Sequence, residues 1–369
     1  MMRVLHCIHS LDLGGAQRQL ALLSRELARH GWDVHVAALT GGCFEHTLDP
    51  ATTRHVVEHR GERDVRVPLR IARLIDRLQP SLVHTWLLKM DILAGIAILA
   101  RGVPWVASER SSSAGYPPHW STRVRPWLVR RADALVANSE GGLNMWRNGR
   151  GPATLRLIRN GFDLRADLRG ASPIHARPPW PEGVRVADGA SVIVYAGRFV
   201  ADKRIRELLR ACVQVRRGAP DVVLVLCGTG PLEAELHRLA RDLGIDDVVV
   251  FPGFVRDTDA LLRRADVFVS LGTAEGSPNA VQEAMASGTP VVLSDTAPHR
   301  ELAGADAGRF VDGDDEASIA AGLLDCLRNR DAARARAETA QAMASAWSAD
   351  SMGAAYDAIY RQVLHARQR

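Results

Sequence analysis

The chain has 369 residues, 47% apolar and 24% charged, which suits about two globular domains and excludes a disordered or fibrous polypeptide. Its net charge of +5 is unevenly shared, with +9 in residues 1–162 and −4 in residues 163–369. The longest uncharged apolar stretch, 92–100, is too short to span a bilayer, and five scattered cysteines (Cys7, Cys43, Cys212, Cys227, Cys326) suit neither a disulfide framework nor a zinc site.

The first ten residues carry His6 and His9 inside their apolar run and no small-residue cleavage site, so they predict a β-strand and not a signal peptide. Short β-branched runs follow at 34–39, 82–85, 105–107 and 135–137, with helical stretches at 16–30, 69–78, 90–101, 122–132 and 140–148. This alternation predicts a parallel sheet covered on both faces. Four prolines (Pro173, Pro178, Pro179, Pro181) interrupt it and predict a linker over 169–190. Strands are then expected at 192–196, 222–227, 248–251, 267–270 and 291–294, with helices at 204–217, 231–243, 279–287 and 316–328. The expected fold is α/β, with one doubly wound domain at 1–168 and a second at 191–348 facing it across a cleft.

Ligands of such sheets bind at the carboxyl ends of the strands, where strand order reverses, so the loops just after strands matter most. The first carries Leu13-Gly14-Gly15-Ala16-Gln17, whose Gly14 and Gly15 allow close backbone approach at a helix start; a plain tight turn explains it equally well. The loop after 192–196 carries Arg198 and Lys203, two cations spaced to close on a diphosphate. Only Lys89 and Lys203 are lysines among 47 basic residues, so a compact point charge is specifically kept there. Gly228 sits in a strand-Gly-x-Gly-helix junction, and the backbone of Phe254-Val255 ends a strand where it could read a base edge. The stretch Glu275-Gly276-Ser277-Pro278-Asn279-Ala280 leads into a helix bearing Glu283. Two carboxylates beside a helix N-terminus suit a nucleotide-sugar, phosphate on the amides and hydroxyls on the acids.

The stretch from Glu275 to Glu283 resembles the E-x7-E signature of glycosyltransferase family 4, retaining enzymes of the GT-B fold. Leu157-Ile158-Arg159-Asn160-Gly161-Phe162-Asp163 resembles the family's P-N-G-I-D segment, and Gly14-Gly15-Ala16-Gln17 its N-terminal glycine loop. The resemblance implies that Arg198 and Lys203 hold the donor diphosphate, Glu275 lies against the transferred sugar and Glu283 binds ribose hydroxyls. Gly14, Gly15, Gln17, Asn160, Gly228, Phe254, Val255 and Gly276 to Ala280 would complete the substrate contacts. Where many members carry a histidine after the fourth strand, this chain reads Ser108-Glu109-Arg110, so Glu109 or Arg110 stands in its place. The last helix, over 349–369, would return to the first domain.

Asp312-Gly313-Asp314 spells D-x-D, a metal motif in another glycosyltransferase fold, but precedes a helix and reads as a capped turn. His84 reads as a buried structural histidine. Arg123, Arg125, Arg130 and Arg131 with Trp120 and Trp127 suggest a helix facing an anionic membrane; no nucleic-acid motif accompanies them, and solvated faces explain the charge asymmetry about as well. The expected function is retaining transfer of a hexosyl unit from a nucleotide-sugar, a UDP-sugar by preference, to a saccharide or lipid-linked acceptor in bacterial polysaccharide or glycolipid synthesis. No cofactor or metal is expected, and the place is cytoplasmic, on the inner membrane face. A sugar-nucleotide epimerase on the same fold and a non-catalytic sugar-nucleotide-binding protein remain alternatives.

Overall fold

The computed structural model describes residues 1–12, 14–42, 45–61, 64–111, 116, 118–147, 151–163, 178–255, 258–273 and 275–369. Leu13, Cys43 and residues 169–177 of the expected linker lie outside them. The chain divides into two compact units, residues 1–163 with 347–369, and residues 164–346.

The first unit runs β1 (Arg3–Ser10), α1 (Gly15–Arg29), β2 (Asp33–Thr40), β3 (Thr53–Val56), α2 (Val67–Leu78), β4 (Leu82–Trp86), α3 (Leu87–Arg101), β5 (Trp105–Glu109), α4 (Trp120–Val129), β6 (Ala134–Ala137), α5 (Glu140–Asn144) and β7 (Leu155–Leu157). Its strands form one parallel seven-stranded sheet in the order β3-β2-β1-β4-β5-β6-β7. Alternate residues of a strand point to opposite faces, so Leu5 and Cys7 join Ile71, Ile75 and Ile98 on one side of the sheet. Val4 and Ile8 join Leu20, Leu23 and Leu27 of α1 on the other.

The second unit runs β8 (Ser191–Ala196), a 3₁₀ turn (Ala201–Lys203), α6 (Ile205–Gly218), β9 (Val222–Cys227), α7 (Glu233–Asp242), β10 (Val249–Gly253), α8 (Thr258–Arg264), β11 (Val267–Ser270), α9 (Asn279–Ala286), β12 (Val291–Ser294), α10 (Ala297–Ala303), β13 (Arg309–Val311), α11 (Glu316–Arg328) and α12 (Arg330–Ala344). Its six strands are parallel, in the order β10-β9-β8-β11-β12-β13. The final helix, α13 (Ala349–Gln368), belongs to the first unit, where Met352, Tyr356, Ile359, Tyr360 and Val363 complete the core beneath α1.

Three strands and one long helix escape the sequence pattern. β3 and β7 are sheet edges, and β3 is mostly exposed, so neither needs a clear apolar run. β13 is also an edge, three residues long. α12 buries only Ala333, Ala337, Ala340 and Ala344, a stripe too small in volume to register as hydrophobic periodicity.

Candidate functional site

Strand order in the second unit reverses between β8 and β11, so the loops after these two strands flank the crevice that α/β sheets use for ligands. The loop after β8 carries Arg198 and Lys203, and the loop after β11 carries Glu275. They are laced together: the Thr273 amide donates to the Asp202 carbonyl at 3.1 Å. Across that junction Lys203 Nζ meets Glu275 Oε1, with Asp202 a further carboxylate at 3.8 Å. Arg198 is exposed, and among the described residues its guanidinium makes no ion pair. The structure therefore joins Lys203 to Glu275 and leaves the Arg198 fork open to an incoming anion.

The ends of β8, β9 and β10 are tied to one another beside the Arg198 loop. Gly197 donates its N–H to the Cys227 carbonyl at 2.9 Å, and Gly228 donates to the Gly253 carbonyl at 2.8 Å. Gly228 has φ +139°, and a Cβ there would lie 1.9 Å from the Gly197 carbonyl oxygen, so this position admits glycine alone. Beyond Gly253, Phe254 is exposed and Val255 is buried. Arg256 and Asp257, next in the chain, lie outside the described residues, as does Ala274.

Gly276, Ser277 and Pro278 are buried, and Asn279 and Ala280 open α9. Ser277 Oγ donates to Gln282 Oε1 at 3.1 Å, tying the loop to its helix. Glu283, one turn in, accepts from Thr258 Oγ1 at 3.1 Å. His299 on α10 carries no signal in the sequence pattern. It is fully buried, with Nδ1 2.9 Å from the Ser294 carbonyl oxygen and Nε2 3.3 Å from Ser270 Oγ, so it clamps the ends of β11 and β12. Burial lowers its pKa below the usual histidine value, and the hydrogen bond to Ser294 opposes that shift. Burial, then the nearby Glu275 and Asp202 carboxylates, push the Tyr195 phenol above its ordinary range.

In the D-x-D stretch, Asp314 is paired with Arg204 and Asp312 Oδ1 accepts the Asp314 amide at 2.9 Å. Asp315 caps α11, accepting from the Ala317 and Ser318 amides at 3.0 and 3.3 Å.

In the first unit the order reverses between β1 and β4. Gly14 and Gly15 stand at the start of α1, and Gln17 Nε2 lies 3.5 Å from Ser10 Oγ at the end of β1. Arg110, after β5, is brought onto Asn160. Its Nη1 donates to Asn160 Oδ1 at 2.8 Å, its Nη2 to the Tyr356 hydroxyl at 2.7 Å, and its guanidinium stacks 4.3 Å from the Trp86 ring centroid. Gln19 holds the next residue, Gly161, through both backbone groups at 2.8 and 2.9 Å.

Glu109 departs from its expected role. It is fully buried, and its carboxylate already accepts from the amides of Arg110 and Ser111, the Tyr116 hydroxyl, Arg125 Nη1 and Trp146 Nε1. Five donors fill the roughly four lone-pair positions of a carboxylate, so no acceptor is left for a substrate. Of the two candidates for the histidine position, Arg110 is the one still partly exposed.

Arg125 also departs. The expected membrane face of α4 includes it, yet its side chain is buried between Asp91 and Glu109, 2.7 Å from each, because position 125 shares a helix face with the buried Leu128 and Val129. Trp120, Arg123, Trp127, Arg130 and Arg131 are exposed, and Arg131 stacks over Trp127 at 4.0 Å. His84 is buried as expected, between the Tyr360 hydroxyl (2.6 Å) and Ser108 Oγ (2.5 Å).

Comparison with known proteins bears on this arrangement. A family profile described as glycosyl transferases group 1 matches residues 177–343, and one described as glycosyltransferase family 4 matches residues 13–166. The chain belongs to glycosyltransferase family 4. It is similar to the lipopolysaccharide core biosynthesis glycosyltransferase LpsE of Rhizobium meliloti, 30% identical over 198 residues, 47% of this chain and 57% of that protein. It is also similar to glycogen synthase of Mycobacterium tuberculosis, 30% identical over 252 residues, 63% of this chain and 57% of that enzyme. The matches thus span a little over half of each relative. Anabaena HepE, solved with UDP and glucose, superposes with a TM-score of 0.83 at 21% identity over 98% of this chain and 100% of that one. The two parallel Rossmann-like sheets are those of the GT-B fold. No helix among the described residues is long and apolar enough to cross a membrane.

Proposed function

We propose that this family 4 protein is a retaining glycosyltransferase that moves a hexosyl unit from a nucleotide-sugar, a UDP-sugar by preference, to a saccharide or lipid-linked acceptor of bacterial polysaccharide or glycolipid synthesis. The observation that carries the reading is the pairing of Lys203 with Glu275 across the loops of β8 and β11, beside the open Arg198 and the start of α9. Departure of a nucleoside diphosphate from an anomeric carbon builds negative charge on the leaving phosphate. Fixed cations and helix amides stabilise that charge without a metal ion, so Arg198 and Lys203 are assigned to the diphosphate together with the amides around Ser277–Asn279.

Glu275 is assigned to the transferred sugar, Glu283 to the ribose, and the backbone near Gly228, Phe254 and Val255 to the base. Gly14, Gly15, Gln17, Arg110 and Asn160 are assigned to substrate in the first unit. In a retaining transfer the acceptor attacks the face the leaving group occupied, and the departing phosphate can take its proton. The exposed Trp120 and Trp127, flanked by Arg123, Arg130 and Arg131, support docking on an anionic membrane, consistent with a cytoplasmic enzyme on the inner membrane face. No nucleic acid takes part.

The test is incubation with UDP-, GDP- and ADP-sugars, in the presence of EDTA, with a glycolipid extract, and NMR of the product's anomeric configuration. A new glycosidic bond with the donor's configuration is expected. An inverted product overturns the retaining assignment, and interconversion of donor sugars with no acceptor product supports the epimerase.

A further inference from the structure

Arg204, the residue after Lys203, has φ +53°, a left-handed conformation that a glycine enters freely and an arginine does not. Its position is otherwise ordinary, between the 3₁₀ turn and α6, so the strain calls for something the side chain does. That side chain reaches Asp314, and the intervening residue makes room for it: a Cβ on Gly313 would lie 2.6 Å from Arg204 Nη1 and 3.0 Å from Ser294 Cβ. Ser294 in turn donates to the Gly272 carbonyl at 3.2 Å, in the loop that carries Glu275. The end of β13 thus touches both loops of the Lys203–Glu275 pair, one through Arg204 and the other through Ser294.

We propose that Asp312-Gly313-Asp314 is a positioning bracket for the donor cation: Asp314 holds Arg204, and the strained Arg204 backbone sets the direction of Lys203. Asp312 fixes the bracket by accepting the Asp314 amide. The D-x-D sequence then serves the nucleoside diphosphate indirectly, by holding the lysine that meets it. This rests on the reading of Lys203 as a diphosphate ligand.

Asp314→Asn removes the charge on the bracket, Gly313→Ala crowds the guanidinium out, and Arg204→Gly removes the side chain that Asp314 holds and frees the backbone to leave the left-handed conformation. UDP, GDP and ADP binding to the full chain is measured by titration calorimetry, with urea midpoints in parallel. For the diphosphate the wild type binds best, the three variants are expected to bind about threefold to tenfold more weakly, with the apparent KM for the donor rising and kcat falling less. Asp314→Glu should restore most of the affinity, and the urea midpoints should stay close to that of the wild type. Variants that bind as the wild type does overturn the bracket alone. A wild type that binds none of the three diphosphates overturns the donor site and the bracket with it. Weaker binding matched by an equal loss of stability also overturns the bracket, since the pair would then be an ordinary structural contact.

Discussion

The Arg125 guanidinium donates to the Glu109 carboxylate at 2.7 Å with both side chains buried, and the same arginine reaches Asp91 at 2.7 Å. The carboxylate beneath the Arg110 loop is therefore tied to α4 and α3 by one cation. A buried pair contributes modest net stability when intact, but removing one partner strands a buried charge, at a cost of about 3–5 kcal/mol. Arg125→Ala should lower the unfolding free energy by that amount, read from urea denaturation, whereas Arg123→Ala on the exposed face should change it little. An Arg125→Ala protein as stable as the wild type would mean the two carboxylates find other partners.

Lys203→Ala and Arg198→Ala should each lower turnover by about tenfold to a thousandfold, the scale for losing one contact to developing charge. Circular dichroism should show both variants folded, since neither residue belongs to a core cluster. EDTA should leave wild-type activity within about twofold, because the proposed site relies on cations fixed in the chain in place of a metal. Activity lost to EDTA and restored by Mg²⁺ would contradict that assignment.

Lys203 and Glu275 were each legible in the sequence as site candidates because both lie on loops that follow short apolar strands; their pairing was not, since it depends on β8 and β11 being neighbours in the sheet. Nor were the partners of Arg110. Tyr356 lies 246 positions away, and the link depends on α13 packing against the first sheet. The inward turn of Arg125 was within reach, since Leu128 and Val129 follow it at helical spacing. The basic and aromatic residues of that segment do not by themselves say which face of a helix is buried. Gly228 needed a backbone angle that no residue pattern reports.

Acid should destabilise the protein mainly through its buried histidines. Burial lowers the His6 pKa from 6.5 to about 3 and holds His84 and His299 below 6.5 as well. A depressed folded-state pKa means the unfolded chain binds more protons below about pH 6.5, so stability falls as pH drops from there toward about 3. Asp91 acts oppositely: burial raises its pKa to about 6, so its share of stability is lost as pH rises from about 4 to 6. Three histidines outweigh one aspartate, and urea midpoints should rise between pH 4.5 and pH 7. His6→Gln keeps an acceptor for the Trp86 N–H without the titration and should flatten the slope. An unchanged slope would move the acid sensitivity to other groups.

Membrane docking is testable without disturbing the core because the buried Arg125 can be left alone. Trp120 and Trp127 are 62% and 54% exposed on α4, and Arg123, Arg130 and Arg131 lie beside them. Each arginine near an anionic surface contributes about 1 kcal/mol, so Arg123→Ser, Arg130→Ser and Arg131→Ser together should cost a few kcal/mol of vesicle binding at low salt. Salt should weaken wild-type binding and leave the triple variant less affected. Trp120→Ser with Trp127→Ser should remove the part that persists at high salt, because burial of apolar rings is not screened. Co-sedimentation with phosphatidylglycerol and phosphatidylcholine vesicles separates the two contributions. Neither set of changes should reduce turnover on a short water-soluble acceptor, since the residues proposed to bind the donor diphosphate belong to the other unit. Equal sedimentation of wild type and both variants would show that this face of α4 is an ordinary solvated surface, and that a lipid-linked acceptor reaches the enzyme by another route.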